Sequence, residues 1–229
     1  MPTPYAPLRL YEEILLLGLR ARAHTLGSPS QLALAGAILA ELLVAGSVTV
    51  EVTSRMSLVT PGSGRVTGDE LIDGCLAELV TASRRAALQT WVARWGRMRH
   101  LQDRATTGLC RRGILRGEER TFLGVFRHTS YPELEPGPEL AIRHRMIAAI
   151  QSETDEIDPR TVVLISLAFH AGLLPGVAGR ALVKRRYERV RRLIEGEVMG
   201  LAVRASLEGM NAALVAAAVI PALVASTTS

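Results

Sequence analysis

Three helix starts are legible in this chain, and together they restrict it to a fold built mainly from helices. The segment SPSQ at residues 28–31 offers a serine cap, a proline at the first helical position and a glutamine at the third. An apolar run follows this segment and stops at Gly46. The segments TGDE at residues 67–70 and DP at residues 158–159 precede two further apolar runs with similar capping chemistry. These signals predict three helices.

The composition agrees with close-packed helices in one domain. Ala, Leu and Val dominate, whereas the 229 residues include only three Phe, four Tyr and two Trp. Ala and Leu are strong helix formers, and the apolar residues between Leu88 and Trp95 have the spacing of a buried helix face. A chain of this length can bury one large core. We therefore predict a single, mainly α-helical globular domain over residues 1–229, with its core at about residues 8–225.

Two short β-hairpins are predicted between the helices. Residues 47–53 are a period-2 run rich in β-branched side chains, and a second run follows at residues 56–59, which predicts the first hairpin. Two apolar runs at residues 113–116 and 121–126 flank the charged turn GEER at residues 117–120, which predicts the second hairpin. The remaining helices are predicted at residues 139–151 and 180–192.

The most concentrated positive charge of the chain leads into the second hairpin. Residues 94–131 carry nine arginines against three acidic residues, and Lys184 is the only lysine in the chain. Such a field attracts phosphate, on lipid or on nucleic acid. The alternative is that these arginines form the solvated face of a helix whose other side packs inward. A second basic cluster surrounds the helix at residues 180–192, which predicts an exposed, solubilising surface and secondly a polyanion contact.

The sequence contains none of the common motifs that indicate catalysis, a metal site or a cofactor. The chain lacks a GxSxG elbow, an HExxH pair, a P-loop and a glycine-rich dinucleotide turn. Cys75 and Cys110 have no Cys or His partner at metal-binding spacing and are predicted to be buried, reduced thiols of a cytosolic protein. His170 lies in an apolar helix, where a hydrogen-bonded core role is expected. We predict no catalytic residue, no metal site and no cofactor.

One uncharged segment near the C-terminus resembles a membrane span in composition but not in length. Residues 212–225 are shorter than the ~20 apolar residues that a spanning helix needs, and Pro221 interrupts them. We predict that they form the last helix of the core. The N-terminal residues lack the basic and apolar regions of a signal peptide, so the predicted location is the cytoplasm.

Several blocks of the sequence, taken in order, resemble the Golgi phosphoprotein 3 family in its bacterial, actinobacterial form. The blocks are LYEEILLLGL, LAGAILAELLVAGSVTVE, TGDELIDGCLAEL, LCRRGILRGEERTFLGVF and EIDPRTVVLISLAFHAGLL. The resemblance covers roughly residues 8–223 and implies a core helix bundle surrounded by amphipathic helices and loops. It also implies what is known of eukaryotic members, which bind phosphatidylinositol 4-phosphate on Golgi membranes, hold glycosyltransferase tails and associate through a hydrophobic hairpin.

The headgroup pocket of that family transfers only partly to this sequence. Its tryptophan falls at Leu26 and its helical arginine at Ala35, so both are replaced. Its pair of arginines, three residues apart, falls on Arg99 and Gln102, so one of the two is kept. The resemblance therefore implies a headgroup-binding role for these four positions, with Arg99 foremost. The neighbouring cations that add unselective attraction, worth ~1 kcal/mol each near an anionic membrane, are Arg97 and Arg104, with Arg94 and Arg111 as further candidates.

The apolar residues of the second hairpin have two interpretations. They protrude and either insert into a bilayer or join two copies of the protein, as the resemblance implies, or they are half buried on the domain. These residues are Ile114, Leu115, Phe122, Leu123, Val125 and Phe126.

Together these patterns predict a non-catalytic adaptor that attaches peripherally to the inner face of a membrane through anionic phospholipid. Membrane-protein tails and a second copy of the chain are further candidate partners. One alternative is a winged-helix-like nucleic-acid binder, in which a helix at residues 99–112 enters a groove. Nucleic acid is the less favoured partner because the helix lacks Asn, Gln and Arg aimed together at bases, and no distinct helix-turn-helix pattern precedes it. The other alternative is an adaptor for protein tails without lipid specificity.

Overall fold

The computed structural model describes residues 7–21, 28–52, 57–64, 66–122, 126–134 and 137–197, and these ranges form a mainly helical domain with two small antiparallel sheets. The strands are β1 (Val48–Val52), β2 (Ser57–Pro61), β3 (Ala86–Ala87), β4 (Glu118–Phe122) and β5 (Phe126–Ser130). The helices are α1 (Leu10–Ala21), α2 (Ser28–Val44), α3 (Glu70–Val80), α4 (Leu88–Gly96), α5 (Leu101–Arg111), α6 (Gly137–Gln151), α7 (Pro159–His170), α8 (Leu174–Ala178), α9 (Arg180–Arg185) and α10 (Tyr187–Ile194).

The core is a bundle of helices built around α1 and α2. All apolar residues of α1 from Leu10 to Leu19 are almost fully buried, and α2 buries apolar residues on all of its faces. A helix that is apolar on all sides must lie inside a protein, because no face of it is suited to water. Helices α4, α5 and α7 accordingly pack around this pair. The prediction of a single, mainly helical domain around a core helix bundle is confirmed.

The predicted helix starts are confirmed where their side chains are described. Asp69 precedes α3, and its carboxylate accepts hydrogen bonds from the backbone N–H groups of Leu71 and Ile72, both at 3.0 Å. Asp158 caps α7 in the same way, with Pro159 as the first helical residue. At the far end of α2, Gly46 adopts a φ of 67°, a left-handed conformation that ends a helix at little cost only for glycine. Local chemistry therefore determines where these helices begin and end.

The first predicted hairpin is confirmed as β1 and β2, which pair antiparallel in a register that sets Val50 opposite Val59. The two-residue strand β3 extends this sheet beyond β2, an addition too short for the sequence to indicate. The loop after β2 returns so closely to the end of α2 that a Cβ atom on Gly64 would stand 2.3 Å from the backbone nitrogen of Ser47. Only glycine can occupy that position without moving the backbone.

The predicted basic helix at residues 99–112 is shorter than expected and is preceded by another helix. Helix α4 ends at Gly96, residues 97–100 form a short connection, and α5 begins at Leu101. Helix α4 confirms the helix that the apolar spacing from Leu88 to Trp95 predicted, whereas its close connection to α5 was not predicted. Both helices bury one face, since Trp95 and Leu101 are almost fully inaccessible to solvent.

The prediction for the second hairpin was wrong in register. Its strands are β4 and β5, which pair Glu118 with Ser130 and Phe122 with Phe126, so residues 118–120 lie in a strand and not in the turn. Leu123 and Val125 lie outside the described residues, and only the backbone of Phe122 and Phe126 is described. Of the six predicted hairpin residues, the two whose side chains the structure describes are Ile114 and Leu115.

Ile114 and Leu115 are core residues at the base of the hairpin, where Leu115 is paired with Glu133, and their burial corrects their predicted role in insertion or oligomer contacts. Both are almost completely buried. Gly113 ends α5 with a φ of 71°, and the N–H of Ile114 then donates to the carbonyl of Leu109 at 3.0 Å. This helix-ending motif brings the residue after the glycine back against the last turn of the helix, so apolar side chains at this position pack inward.

The basic cluster at residues 180–192 was predicted as one exposed helix, and this prediction is only partly correct. The cluster forms two helices: α9 buries none of its residues, as predicted, whereas α10 buries Val190 and Leu193. The guanidinium of Arg189 is buried against Asp155, and that of Arg186 donates to the carbonyls at the end of α6, including that of Ile150 at 3.2 Å. These arginines therefore join α10 to the end of α6.

Two further predictions concern residues that lie partly outside the described ranges. The predicted last core helix at residues 212–225 lies outside them entirely, as does the C-terminal limit of the core. Among the described residues, no helix combines the length and apolar character needed to cross a membrane.

Candidate functional site

The arginines of residues 94–131 divide into two groups by their partners. Three of them pair with carboxylates: Arg94 with Glu78 at 2.5 Å, Arg111 with Glu70 at 3.8 Å, and Arg112 with the buried Glu12 at 2.6 Å. The side chains of Arg120 and Arg127 are not described. Within the described ranges, the arginines of this segment without a carboxylate within 4.0 Å are Arg97, Arg99, Arg104 and Arg116, and all four are exposed.

Two of these unpaired arginines lie together between α4 and α5, in a segment that we call the basic joint and define as residues 97–102. The start of the joint follows the last residue of α4, which packs against the second turn of α2: an added Cβ atom on Gly96 would be 2.7 Å from a methyl carbon of Leu32. Arg97 and Arg99 therefore place two positive charges in one exposed segment next to the core.

The backbone of the basic joint is held by its own contacts. The N–H groups of Arg97 and Met98 donate to carbonyls in the last turn of α4, at 3.2 and 2.9 Å. His100 adopts a φ of 61°, which is uncommon for a residue with a side chain, and its Nδ1 lies 2.9 Å from a carboxylate oxygen of Asp103. Trp95 is buried just before the joint and Leu101 is buried within it, so the joint is anchored in the core while its arginines face solvent.

The structure brings together only some of the predicted headgroup residues. Arg97 and Arg99 are exposed in the joint, and Gln102 is half buried in the first turn of α5, three residues after Arg99. Ala35, by contrast, is completely buried, so its methyl group cannot contact a headgroup, and this predicted site position is corrected. Leu26 lies outside the described residues.

Arg104 lies apart from the other predicted cations. It lines a cleft of about 490 Å³ between α5 and the start of α3, whose walls also carry Asp69, Glu70 and Asp103. Its guanidinium lies within 3.5 Å of the sulfur of Met98. Three carboxylates in the same cleft weaken the positive potential at Arg104, so this arginine contributes less than Arg97 or Arg99 to an anion-binding surface.

The acidic walls of this cleft are accounted for by contacts within the chain. Asp69 caps α3 and also accepts a hydrogen bond from the hydroxyl of Tyr11 at 2.7 Å. Burial, reinforced by that hydrogen bond, raises the pKa of Tyr11 well above its usual value. Asp103 lies against His100, and Glu70 faces Arg111. The cleft is therefore explained as part of the framework that positions α3 and α5.

A group of buried glutamates in α1 and α2, which we describe as lying under α1, was not predicted from the sequence. Glu12, Glu13 and Glu41 are each less than 5% exposed, and each faces an arginine from a distant part of the chain. Burial raises the pKa of Glu13, although two arginines oppose the shift. The signal available in the sequence was the pair Glu12-Glu13 inside the apolar block LYEEILLLGL. The ion pairs are Glu12 with Arg112, Glu13 with Arg145 and Arg160, and Glu41 with Arg160.

Cys75 and His170 have the surroundings of structural residues. Cys75 is buried, and desolvation raises the pKa of its thiol to about 12, so the nucleophilic thiolate is disfavoured. Cys110 is free and only partly buried, which differs from the buried state predicted for it. His170 hydrogen-bonds through Nδ1 to the carbonyl of Ser166 at 2.9 Å, as expected for a structural histidine. Across the described ranges, no three His, Cys, Asp or Glu side chains form a group suited to a metal ion.

The fold and the joint together define a mainly helical domain that presents unpaired arginines in one exposed segment next to the core. A sequence profile of the Golgi phosphoprotein 3 (GPP34) family matches residues 10–210, and the chain belongs to this family. The resemblance inferred from its sequence blocks is thereby confirmed at the level of the family.

Two relatives are fungal proteins named vacuolar protein sorting-associated protein 74. The one from Schizosaccharomyces pombe is 26% identical over 172 residues, which cover 66% of this chain and 50% of the relative. The one from Eremothecium gossypii is 26% identical over 206 residues, which cover 74% of this chain and 61% of the relative. The aligned part thus spans between half and about three fifths of these relatives.

Proposed function

We propose that the protein is a non-catalytic adaptor that attaches peripherally to the inner face of a membrane by binding anionic phospholipid at the basic joint. The observation that carries this proposal is that Arg97 and Arg99 are exposed and have no carboxylate partner among the described residues. An arginine neutralised by its own chain attracts anions weakly, whereas an unpaired one retains its full charge. Membership of the Golgi phosphoprotein 3 family supports the same function.

The position of the joint strengthens the electrostatic argument. Each arginine near an anionic bilayer contributes about 1 kcal/mol of attraction. Arg97 and Arg99 lie two residues apart in the joint, so both charges attract the same part of an anionic surface. Arg99 is the residue we expect to contact the headgroup, because it occupies the position of a headgroup arginine in the family pocket.

Two replacements in that pocket argue for attraction without strong headgroup selectivity. The arginine inside the core helix is replaced by Ala35, whose side chain is buried, and the second arginine of the pair is replaced by Gln102. Two positive charges are therefore lost from that pocket, since neither alanine nor glutamine is charged. We propose affinity for anionic phospholipids in general and a weaker preference for phosphatidylinositol 4-phosphate than an intact pocket would provide.

The hairpin of β4 and β5 extends the proposal to partners. We propose that it supplies bilayer or self-association contacts through the residues around its turn, and that Ile114 and Leu115 do not take part because they are buried. Tails of membrane proteins remain the proposed cargo, by analogy with the family. Neither proposal requires catalysis.

The test is co-sedimentation of the protein with liposomes of four compositions. These are neutral vesicles and vesicles that contain phosphatidylinositol, phosphatidylinositol 4-phosphate or cardiolipin at matched total charge. Arg99→Ala is compared with Arg85→Ala, which removes the same charge from an exposed arginine already paired with Glu51 at 2.7 Å. We expect binding to all anionic vesicles, weakened by Arg99→Ala and unaffected by Arg85→Ala.

Each other outcome selects a different function. Binding only to phosphatidylinositol 4-phosphate vesicles, abolished by Arg99→Ala, would mean that the family pocket keeps its selectivity with substituted residues. Equal loss in both variants would assign the attraction to net charge rather than to the joint. Absence of binding to every vesicle would reject the membrane proposal, and a salt-dependent affinity for nucleic acid would then favour the winged-helix-like alternative.

A further inference from the structure

Helix α9 carries positive charge that the described part of the chain does not neutralise. Arg180, Lys184 and Arg185 are exposed, and no described carboxylate lies within 4.0 Å of any of them. Arg180 and Lys184 are four residues apart and therefore lie on one face of the helix. None of the residues of α9 is buried. We call these three cations the α9 patch.

The four arginines that follow α9 are, in contrast, paired with carboxylates. Their partners are Glu153 for Arg186, Asp155 for Arg189, Glu188 and Glu195 for Arg191, and Asp155 and Glu197 for Arg192. A cation that is paired within its own chain adds little to the positive potential outside it. The α9 patch has no such partner among the described residues, so its charge is available to an external anion.

An exposed aromatic side chain lies beside the α9 patch. Tyr187, two residues after Arg185, is 52% exposed. Tyrosine is enriched where proteins meet the headgroup region of a bilayer, because its ring is apolar and its hydroxyl group is polar. Leu182 and Val183 pack against the core and hold α9 on the surface of the domain. Unpaired cations next to an exposed tyrosine favour an anionic bilayer as the partner.

Helix α9 ends at the end of the bundle where α1 begins. The guanidinium of Arg186, directly after α9, donates to the carbonyl of Ile150 in the last turn of α6 at 3.2 Å. Helix α6 runs antiparallel to α1. Glu139 in its first turn lies 3.7 Å from Arg20 near the end of α1, whereas Arg145, six residues later, contacts the first turn of α1 at 2.9 Å. The end of α6, and α9 with it, therefore lies beside the start of α1.

The basic joint lies towards the opposite end of the bundle. The start of α1 meets the end of α2, because the N–H of Leu10 donates to the carboxylate of Glu41. The joint follows Gly96, which packs against Leu32 in the second turn of α2. Leu32 and Glu41 are nine residues apart, which is about 14 Å along a helix. Exposed charges act over only ~8 Å at physiological ionic strength, so a bilayer bound at the joint attracts the α9 patch weakly.

We propose that the α9 patch binds a second anionic bilayer, so that one molecule bridges two membranes. This inference rests on the proposed function, because the basic joint must hold the first membrane. Arg180, Lys184 and Arg185 attract the phosphate groups of the second membrane, and Tyr187 contacts its headgroup region. Both contacts are electrostatic, so added salt weakens the bridge.

The test measures vesicle binding and vesicle clustering separately, with the full chain and vesicles of phosphatidylcholine and phosphatidylglycerol in equal parts. Flotation reports binding, and dynamic light scattering reports clustering. We expect the unmodified protein to bind and to raise the mean particle diameter several-fold. The α9 variant, Lys184→Ala with Arg185→Ala, should still bind through the joint but should not cluster the vesicles. Replacement of Arg97 and Arg99 by alanine should also abolish clustering and should weaken binding.

The matched control is Arg85→Ala combined with Arg191→Ala. It removes the same charge as the α9 variant, but from exposed arginines already paired with Glu51 and Glu188. This control should cluster vesicles as the unmodified protein does. Thermal unfolding followed by circular dichroism should give similar midpoints for the control and the α9 variant, because only exposed side chains change.

Four outcomes would overturn the inference. Clustering that persists in the α9 variant would mean that the joints of an oligomer bridge the vesicles, and equal loss of clustering in the control would assign it to net charge. Binding without clustering by the unmodified protein would overturn the bridge and leave the proposed function intact. Absence of binding by the unmodified protein would reject the proposed function together with the bridge.

Discussion

Arginines in two regions of this protein have opposite surroundings. Under α1, Arg112, Arg145 and Arg160 each bind buried glutamates, at 2.6 to 2.9 Å in their shortest contacts. In the basic joint, Arg97 and Arg99 are exposed and no described carboxylate lies within 4.0 Å of either. The same residue type therefore stabilises the fold in one region and presents uncompensated charge in the other.

The difference shows why the number of arginines in a segment is a poor guide to its function. Arg112 and Arg99 lie thirteen positions apart in the same basic stretch, yet Arg112 is committed to Glu12 in the core. A buried ion pair matters because removing one partner leaves the other as an unpaired buried charge. An exposed, unpaired arginine contributes little to stability and much to attraction of anions.

The largest expected effect is a loss of stability when one of the buried glutamate–arginine ion pairs is removed. Arg160→Ala removes the partner of Glu41 and a partner of Glu13, together with a hydrogen bond to the carbonyl of Leu8 at 2.6 Å. We expect a loss of about 3–5 kcal/mol in the free energy of unfolding, measured by urea denaturation. Arg85→Ala, at a pair in which both side chains are more than half exposed, should change it by less than about 0.5 kcal/mol. Similar losses of unfolding free energy in Arg160→Ala and Arg85→Ala would contradict the distinction between buried and exposed arginine pairs.

The next effect concerns the joint and should appear in binding rather than in stability. Replacement of both Arg97 and Arg99 by alanine removes two unpaired charges, worth about 2 kcal/mol together near an anionic bilayer, or roughly a 30-fold weaker affinity for anionic vesicles. The free energy of unfolding should change by less than about 0.5 kcal/mol. Unfolding that parallels the loss of binding would show that these arginines are structural.

Substitution of Gln102 should raise or lower the affinity of the protein for anionic vesicles, depending on the charge introduced. Gln102→Arg restores a second arginine three residues after Arg99, and we expect about fivefold tighter binding to anionic vesicles, with a larger gain for phosphatidylinositol 4-phosphate. Gln102→Glu supplies a carboxylate on the neighbouring turn and should weaken binding by a similar factor. Identical behaviour of the two variants in vesicle titrations would exclude Gln102 from the binding surface.

The smallest expected effect belongs to Arg104. This arginine has no carboxylate partner within 4.0 Å among the described residues, but it lines a cleft that also contains Asp69, Glu70 and Asp103. Because those acids already offset its field, we expect Arg104→Ala to weaken vesicle binding by less than about threefold. A loss as large as that of Arg99→Ala would place the binding surface on the cleft side of α5.

The sequence predicted the helices best where local chemistry decides their limits. The carboxylate of Asp158 and the ring of Pro159 act within one turn, so the start of α7 could be predicted from neighbouring residues alone. The bounds predicted for the second hairpin were wrong because Ile114 and Leu115 have the composition of a strand but directly follow Gly113, which ends a helix. Apolar side chains suit both environments, so periodicity over four residues could not separate them.

The candidate site was predicted only in part for a related reason. The exposure of Arg99 was predicted from its position in a basic stretch, and its role as a headgroup position is a prediction from the family resemblance. Burial of Ala35 and pairing of Arg112 with Glu12 depend on residues as many as one hundred positions away. No local pattern shows whether such partners meet.

By itself, then, the sequence determined the mainly helical class, the capped helix starts, the first hairpin and the concentration of positive charge before the second. Only the tertiary structure decided which arginines are neutralised under α1, which remain free in the joint, and where Ile114, Leu115 and Glu133 lie. The physical reason is range: caps and turns act over three or four residues, whereas burial and ion pairing depend on which distant side chains the packed core brings within a few ångströms.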